Sequence, residues 1–330
     1  MAKITDVAKE AGVSASTVSH VLSGNRPISE TTKRRVLDAI EALGYHPNPN
    51  ARALKSKQSG IIGFYAGDIT ELFVTEIIRG VESVIVPRDE HLLLVSGAEF
   101  RGNIEKALEF LASRRVDGLI ISYGVSQHKR GSITIPAERP AITINSHLGT
   151  SIPSIEPDNR QGGRDAAKHL FAAGARRIAV IAGPKGRFAS ARRVEGLLEY
   201  DPPTDGIILK ERIEHVEFTF DGGYQGMQRL LSVGQEFDAL FCANDYIAAG
   251  AMTAAQEAGI AVPEELLVLG FDDREFATFW PTPISSFKQP LYRMGQLAAR
   301  YLSDNIYENK KIPSSTLLAS ELVGRRSSSR

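Results

Sequence analysis

The sequence predicts an all-α headpiece of three helices with a helix-turn-helix, followed by an α/β core of two doubly wound lobes. Three observations carry this prediction. Helix-capping signals crowd the first sixty residues, and short β-rich apolar runs alternate with helical stretches from Ile61 onward. Charge is also divided unevenly at Gly60. Residues 1–60 hold nine Lys/Arg against five Asp/Glu, leaving 30 against 34 for the rest, although the whole chain balances at 39 and 39. The excess of positive charge lies at the front, where a polyanion could be held.

Thr5 is placed to cap a helix over Asp6 to Ala11, Gly12 suits the break after it, and Ser14 caps a second helix over Ala15 to Leu22. Ser29 caps a third, with Thr32 and Lys33 early in it, and Gly44 ends it. Short helices separated by a tight turn make a helix-turn-helix. On the second helix Val18, Val21 and Leu22 share one face and meet Val7, Ala8, Val36 and Ile40 in a small core. The opposite face carries Ala15, Ser16, Ser19 and His20, small and polar side chains that fit a major groove. An ordinary solvated face is the plain alternative. The stretch Asn48 to Lys55 reads as a linker from its Pro and Asn, yet Ala51 to Lys55 is helix-prone. A helix of about two turns needs a partner surface to form.

In the core, strands are expected at Ile61 to Tyr65, Leu92 to Val95, Gly118 to Ser122 and Ala141 to Asn145, then Arg177 to Ala182, Ala239 to Cys242 and Leu267 to Phe271. Helices are expected to begin near Leu72, Asn103, Asn159, Arg192, Tyr224, Asp245 and Leu291. Such alternation implies parallel sheets covered on both faces. Ligands of such sheets bind at the carboxyl ends of the strands. Those ends carry Asp68, Ser96, Ser122, Asn145, Asn244 with Asp245, and Asp272 with Asp273.

Composition narrows the class. A single cysteine, Cys242, offers no intramolecular disulfide, and the start MAKITDVAKEAG lacks the apolar run of a signal peptide. A soluble, cytoplasmic protein without membrane attachment is expected. No GxSxG elbow, no GxxxxGK[ST] loop and no metal-spaced His/Cys cluster is present, so an enzyme is not expected, and neither a cofactor nor a metal.

The run from Ile4 to Ser56, ITDVAKEAGVSASTVSHVLSGNRPISETTKRRVLDAIEALGYHPNPNARALKS, resembles the DNA-binding headpiece of the LacI/GalR family of repressors at nearly every position. The resemblance implies that Ala15, Ser16 and His20 read bases and that Arg26 reaches base or phosphate. It further implies that Thr5, Ser14, Ser19 and Thr32 contact phosphates. The glutamine or arginine common among base-reading positions is absent. The segment near Leu54 looks like the family's hinge helix, which orders on DNA and wedges a leucine into the minor groove, with Arg52 and Lys55 near phosphates.

From about residue 60 to 325 the chain is similar to the same family's effector domain, itself periplasmic-binding-protein-like (type I). Segments such as IEPDNRQGGRDAAKHL, RRIAVIAGP, SARRVEG, FCANDYIAAGAM and VPEELLVLGFDD carry the similarity. The implied organisation is a headpiece over 1–47, a hinge helix and linker over 48–59, and an effector-binding and dimerisation core over 60–330. Within that core the N-lobe takes about 60–158 and 290–318, and the C-lobe about 159–289 and 319–330. A homodimer is expected, because no leucine heptad follows ELVGRRSSSR.

For the effector, the match points to Phe73, Ser122, Asn145, Arg193, Phe218, Asn244, Asp272 and Gln289. Such a set suits a polyol, with carboxylate, amide and guanidinium groups pairing with hydroxyls and phenyl rings covering an apolar face. Phe218 is otherwise plain core, Asn145 a loop tie, and Asp272 or Asp273 a helix cap. Asn145 and Ser146 stand where many members carry Asp-Arg, and SARRVEG is one residue short, leaving Arg192 and Arg193 as alternatives. Lys185, Arg187, Arg192 and Arg193 suit either a solvated basic loop or an anionic effector. The expected function is a transcriptional regulator, a repressor, binding pseudo-palindromic operator DNA under control of a small-molecule effector, a sugar or sugar derivative. The alternatives are a transport-type sugar-binding protein and a regulator responding mainly to a protein partner.

Overall fold

The structure, a computed structural model, describes residues 2–23, 26–45, 58–70, 72–122, 135, 139–145, 152–234 and 236–329. The chain divides into two compact units, Met1–Gly60 and Ile61–Arg330.

Among the described residues the first unit consists of helices α1 (Ile4–Glu10), α2 (Ala15–Ser23) and α3 (Glu30–Ala42). Val7, Ala8, Ala11, Val18, Val36 and Ala39 form its core, with Ile4, Val13, Ala15, Val21, Leu22, Ile40 and Tyr45 packed around them. The expected cap on α1 is corrected. Thr5 lies inside the first turn, Lys3 is the N-cap, and Asp6 reaches back to accept the Lys3 amide at 2.8 Å. An acid in the first turn satisfies an otherwise orphaned N–H and complements the helix dipole, which Thr5 cannot do from within the helix. Ser14 and Ser29 do cap their helices, accepting from the amides of Thr17 at 3.1 Å and Thr32 at 3.3 Å. Gly12 (φ +61°) closes α1 with the amides of Gly12 and Val13 turned back onto Lys9 and Ala8. Left-handed backbone of this kind suits glycine, and it sets the turn between α1 and α2.

Within the second unit, the described residues form one six-stranded parallel sheet in the order β11-β5-β4-β3-β1-β2. Its strands are β1 (Ile61–Ala66), β2 (His91–Ser96), β3 (Gly118–Ser122), β4 (Ala141–Ile144), β5 (Ser154–Pro157) and β11 (Ser315–Leu318). A four-stranded parallel sheet, β7-β6-β8-β9, is built from β6 (Arg177–Ala182), β7 (Ile207–His215), β8 (Ala239–Cys242) and β9 (Leu267–Leu269). The antiparallel pair β10 (Ser286–Lys288) and β12 (Glu321–Val323) adjoins it through a bridge between Leu269 and Ser285.

Helices cover both faces of each sheet. In the first lobe α4 (Leu72–Ile85) and α11 (Leu291–Glu308) pair on one face, and α5 (Ile104–Ser113) covers the other. In the second, α6 (Asn159–Ala172) pairs with α7 (Phe188–Leu198), and α8 (Phe220–Ser232) with α9 (Asp245–Glu257). The short α10 (Glu275–Phe279) follows β9. Among the described residues the chain passes between lobes three times, at Asp158, at Gln289 and Pro290, and between Leu318 and Glu321.

Two helix starts differ from expectation by four residues. α7 begins at Phe188 rather than near Arg192, and its N-cap Arg187 makes no side-chain cap bond that would announce it. α8 begins at Phe220 rather than near Tyr224, capped by Thr219, so Gly222 and Gly223 lie inside it. A Cβ on Gly223 would collide with the Ile247 backbone of α9, so helix packing demands glycine there despite its poor helix propensity. β5, β7, β10, β11 and β12 were not expected from the pattern. β7 is an edge strand broken by Lys210, Glu211 and Arg212, with a register shift opposite Ile178 and Val180, and β10 and β12 are three residues each.

Candidate functional site

In the headpiece, Ser16 and Thr5 are exposed, Ser19 and His20 are half-buried on α2, and Arg26 is exposed. Ala15 is half-buried and packs partly against the headpiece core. Ser14 Oγ lies 2.7 Å from Ser16 Oγ and 2.9 Å from Thr17 Oγ1, and Ser29 Oγ donates to Thr32 Oγ1 at 2.9 Å. Of the candidate phosphate contacts, Thr5, Ser14 and Thr32 sit at helix N-termini, where backbone N–H groups and the helix dipole favour an anion, while Ser19 lies mid-helix on α2. Arg35, not singled out by pattern, reaches from α3 to the carbonyls of Ala11 and Gly12 and clasps the turn. Arg52, Leu54 and Lys55 lie outside the described residues.

In the core, the carboxyl ends of the second lobe's strands gather the polar candidates around one guanidinium. Arg193 projects from α7 and is only 4% exposed. Its Nε donates to Asn159 Oδ1 at 2.8 Å and its Nη1 to the Ala243 carbonyl at 2.5 Å. The guanidinium lies 3.6 Å from the centroid of the Phe271 ring, which stacks in turn on Phe287. A buried cation survives through such pairing and through the cation–π contact. Asp272 faces it, with Oδ1 3.6 Å from Nη2, and accepts from Gln289 Nε2 at 2.5 Å. Arg274 approaches the other carboxylate oxygen at 3.9 Å. Gln289 Oε1 is buried without a hydrogen-bond partner among the described residues.

Arg192 points elsewhere, pairing with Glu195 at 2.7 Å and covering the exposed Phe188 ring. Lys185 is exposed and Arg187 half-buried, so Arg193 alone of the four basic residues enters this cluster. Asn244 adjoins it, although its Oδ1 caps α9 by accepting from Ile247 N at 2.9 Å. Phe218 packs on the lobe's core beside Gly183 at the end of β6. Phe73, Ser122 and Asn145 belong to the other lobe. Phe73 packs on its core, Ser122 ends β3 with its side chain buried, and Asn145 follows β4 at φ +52° with its amide donating to Ile155. A cavity of about 450 Å³ lined by His169, Gly324, Arg325, Arg326 and Ser329 contains none of these groups.

A second polar layer joins Asp245 and Asp273, expected at strand ends, to Ser286, Arg274 and Arg325, which sequence reasoning missed. Asp272 and Asp273 both have positive φ, +109° and +52°, a strained turn for side chains other than glycine. Asp273 accepts from Arg325 at 2.6 Å, and its amide donates to the buried Ser286 Oγ at 2.9 Å. Ser286 donates to Asp245 at 2.6 Å, and Asp245 also accepts from the Arg274 amide at 2.7 Å. Burial, reinforced by the nearby Asp272, pushes the Asp245 carboxyl up to about 8. Burial likewise draws the Arg193 guanidinium below its ordinary value, with Asp272 opposing the change.

Comparison with known proteins places the chain. Residues 3–48 match the model of bacterial regulatory proteins, lacI family, and residues 167–328 match a periplasmic binding protein-like domain. The chain is 33% identical to the HTH-type transcriptional repressor PurR of Photorhabdus laumondii subsp. laumondii, over 99% of its own length and 97% of that protein. The chain belongs to the LacI family. Another LacI-family relative, catabolite control protein A of Priestia megaterium, is 30% identical over 96% of this chain and 95% of its own.

The structure of the lac repressor dimer bound to operator and the anti-inducer ONPF covers 100% of this chain and 99% of its own, with TM-score 0.84 and 27% identity. A transcriptional regulator CelR–cellobiose complex matches with TM-score 0.72 and 29% identity, covering 99% and 100%. The LacI-family assignment makes this chain a DNA-binding transcriptional regulator with a periplasmic-binding-protein-like α/β core. Among the described residues no helix is long and apolar enough to cross a membrane, and no three His, Cys, Asp or Glu side chains come together as a metal site.

Proposed function

We propose that this LacI-family regulator is a cytoplasmic repressor that binds a pseudo-palindromic operator as a homodimer and is controlled by a sugar or sugar derivative. Ser16 and His20, with the Ala15 methyl at the edge, read bases in the major groove. Thr5, Ser14, Ser19 and Thr32 position the phosphates, Arg26 reaches base or phosphate, and Leu54 wedges the minor groove with Arg52 and Lys55 beside it. The effector contacts Arg193, Asp272, Gln289, Asn244 and Phe218 from one lobe and Phe73, Ser122 and Asn145 from the other. The boundaries proposed for the working parts are 1–47, 48–59 and 60–330.

The observation that carries the effector reading is the buried Arg193–Asp272 pair at 3.6 Å, seated on Phe271 with Gln289 alongside. It sets the remaining Nη hydrogens of Arg193 beside the carboxylate of Asp272, donor next to acceptor, the arrangement that adjacent hydroxyls require. Support for a sugar comes from the cellobiose complex of the CelR regulator and from the lac repressor bound to ONPG. No catalytic role is proposed. The relatives are regulators, and Cys242 is buried with its thiol pushed well up by burial, which removes it as a nucleophile.

A thermal-shift screen of monosaccharides, disaccharides, nucleosides and phosphosugars tests this directly. At least one compound should raise the Tm of the full chain by about 5 °C at saturating concentration, and Asp272→Asn should abolish the shift. If no compound stabilises the wild-type protein, control by a protein partner replaces this reading.

A further inference from the structure

The side chains around Arg193 do more than line one lobe. Asn159, which accepts the Arg193 Nε–H at 2.8 Å, is the first residue of α6 and follows directly on the Asp158 crossover. Gln289, which donates to Asp272 at 2.5 Å, lies within the second crossover. The third crossover is reached through the backbone, because the Asp158 amide donates to the Leu318 carbonyl at 2.8 Å. Asn159 is itself 4% exposed, and its Nδ2 donates to the Pro157 carbonyl at 3.3 Å, so its Oδ1 is aimed at Arg193 by a contact within the crossover. A single chain of side chains, Asn159 to Arg193 to Asp272 to Gln289, thus bridges two crossovers, and one backbone bond adds the third.

We propose that Asn159 is a positioning residue that fixes Arg193 and ties the crossovers between the lobes into one unit through Asp272 and Gln289. The physical reason lies in the geometry of the guanidinium. It is planar, donates in fixed directions, lies over Phe271 and is held by two hydrogen bonds, so a displacement at Asp272 is resisted as a rotation and passes to Asn159. A molecule that engages Arg193 or Asp272 therefore bears on the same bonds that join the lobes. This deepens the effector reading and rests on it for its purpose, while the bridge is testable without any ligand.

Hydrogen exchange followed by mass spectrometry on the full-length protein, with no ligand added, is the test. In Asn159→Ala, amides around the second crossover, from Lys288 to Leu291, should exchange about fivefold faster or more, the effect passing through Arg193 and Asp272. Asn159→Asp keeps an acceptor for Arg193 Nε, losing only the bond donated to Pro157, and should bring the rate there most of the way back to wild type. Gln289→Met should act reciprocally, speeding exchange from Asp158 to Gly162. If each variant alters only its own crossover, the bridge does not couple them and the proposal fails. Should Asn159→Ala not fold, Gln289→Met alone decides. A wild-type core that no compound stabilises sinks the effector reading and leaves this outcome readable.

Discussion

Asp245 shows how one buried side chain sets a pH dependence. Its carboxyl is pushed up to about 8, mainly by burial and then by Asp272, against the opposing bonds from Ser286 and the Arg274 amide. In the unfolded chain the same group ionises near its ordinary value of 3.8. Between about 4 and about 8 the folded state holds a proton that the unfolded state has released, so stability falls as pH rises and levels off above about 8. Asp245→Asn removes that component. Urea unfolding at several pH values should give the variant a flatter profile across this window, and a profile parallel to the wild type would rule the mechanism out. At this scale the sequence was informative about which residues are polar at strand ends, and silent about their states. Arg192 and Arg193 are adjacent and chemically identical, yet one is buried against Asp272 and the other pairs with Glu195 at the surface. Which of two neighbours turns inward depends on the helix's rotation about its axis, and that follows from where α7 begins.

The start and seating of α7 are decided by its crossing with α6. Gly163 and Gly196 oppose each other there, and a Cβ on either would run into the backbone carbonyl of the partner helix, at Arg193 and Arg160 respectively. Backbone cannot move aside as a side chain does, so the helices would have to separate. Gly196→Ala should destabilise the core by about 1–3 kcal/mol in urea unfolding. It should also shift α7 away from α6, visible as loss of the Arg193–Asn159 bond in a crystal structure of the variant. An unchanged stability would mean that the crossing is looser than it looks. The same need places Gly222 and Gly223 inside the first turn of α8, ahead of the expected start near Tyr224, because Gly223 meets the α9 backbone at Ile247. Element type was legible wherever an apolar run reached about four residues. β7, β10 and β12 were not, because each is stabilised by its neighbours in the sheet and not by its own pattern.

For the whole molecule, the front-loaded charge should be measurable. Arg26, Arg52 and Lys55 are the cationic members of the proposed operator contacts, six groups in a homodimer. Neutralising that many phosphates gives a slope of about −5 for log K against log salt concentration. Binding to operator duplexes selected from a randomised pool should show it, and Leu54→Ala should weaken specific binding far more than non-specific binding. A slope near zero would exclude these cations, and equal losses would exclude the wedge. Neither the helix-turn-helix nor the two-lobed core required the coordinates to be recognised, because capping residues, hydrophobic periods and the alternation of strand and helix are local properties that the chain carries in order.

Local pattern therefore determined the headpiece, the α/β core and the strand ends at which polar groups collect. The tertiary structure decided what those groups do to one another. Asn159, Arg193, Asp272 and Gln289 are separated by up to 130 positions in the chain and adjoin only because the winding of the second lobe returns the chain repeatedly to one end of its sheet. No periodicity encodes a contact of that range. It arises from how helices pack on a sheet, and the close crossing of α6 on α7 is what brings Arg193 to Asn159 and Asp272.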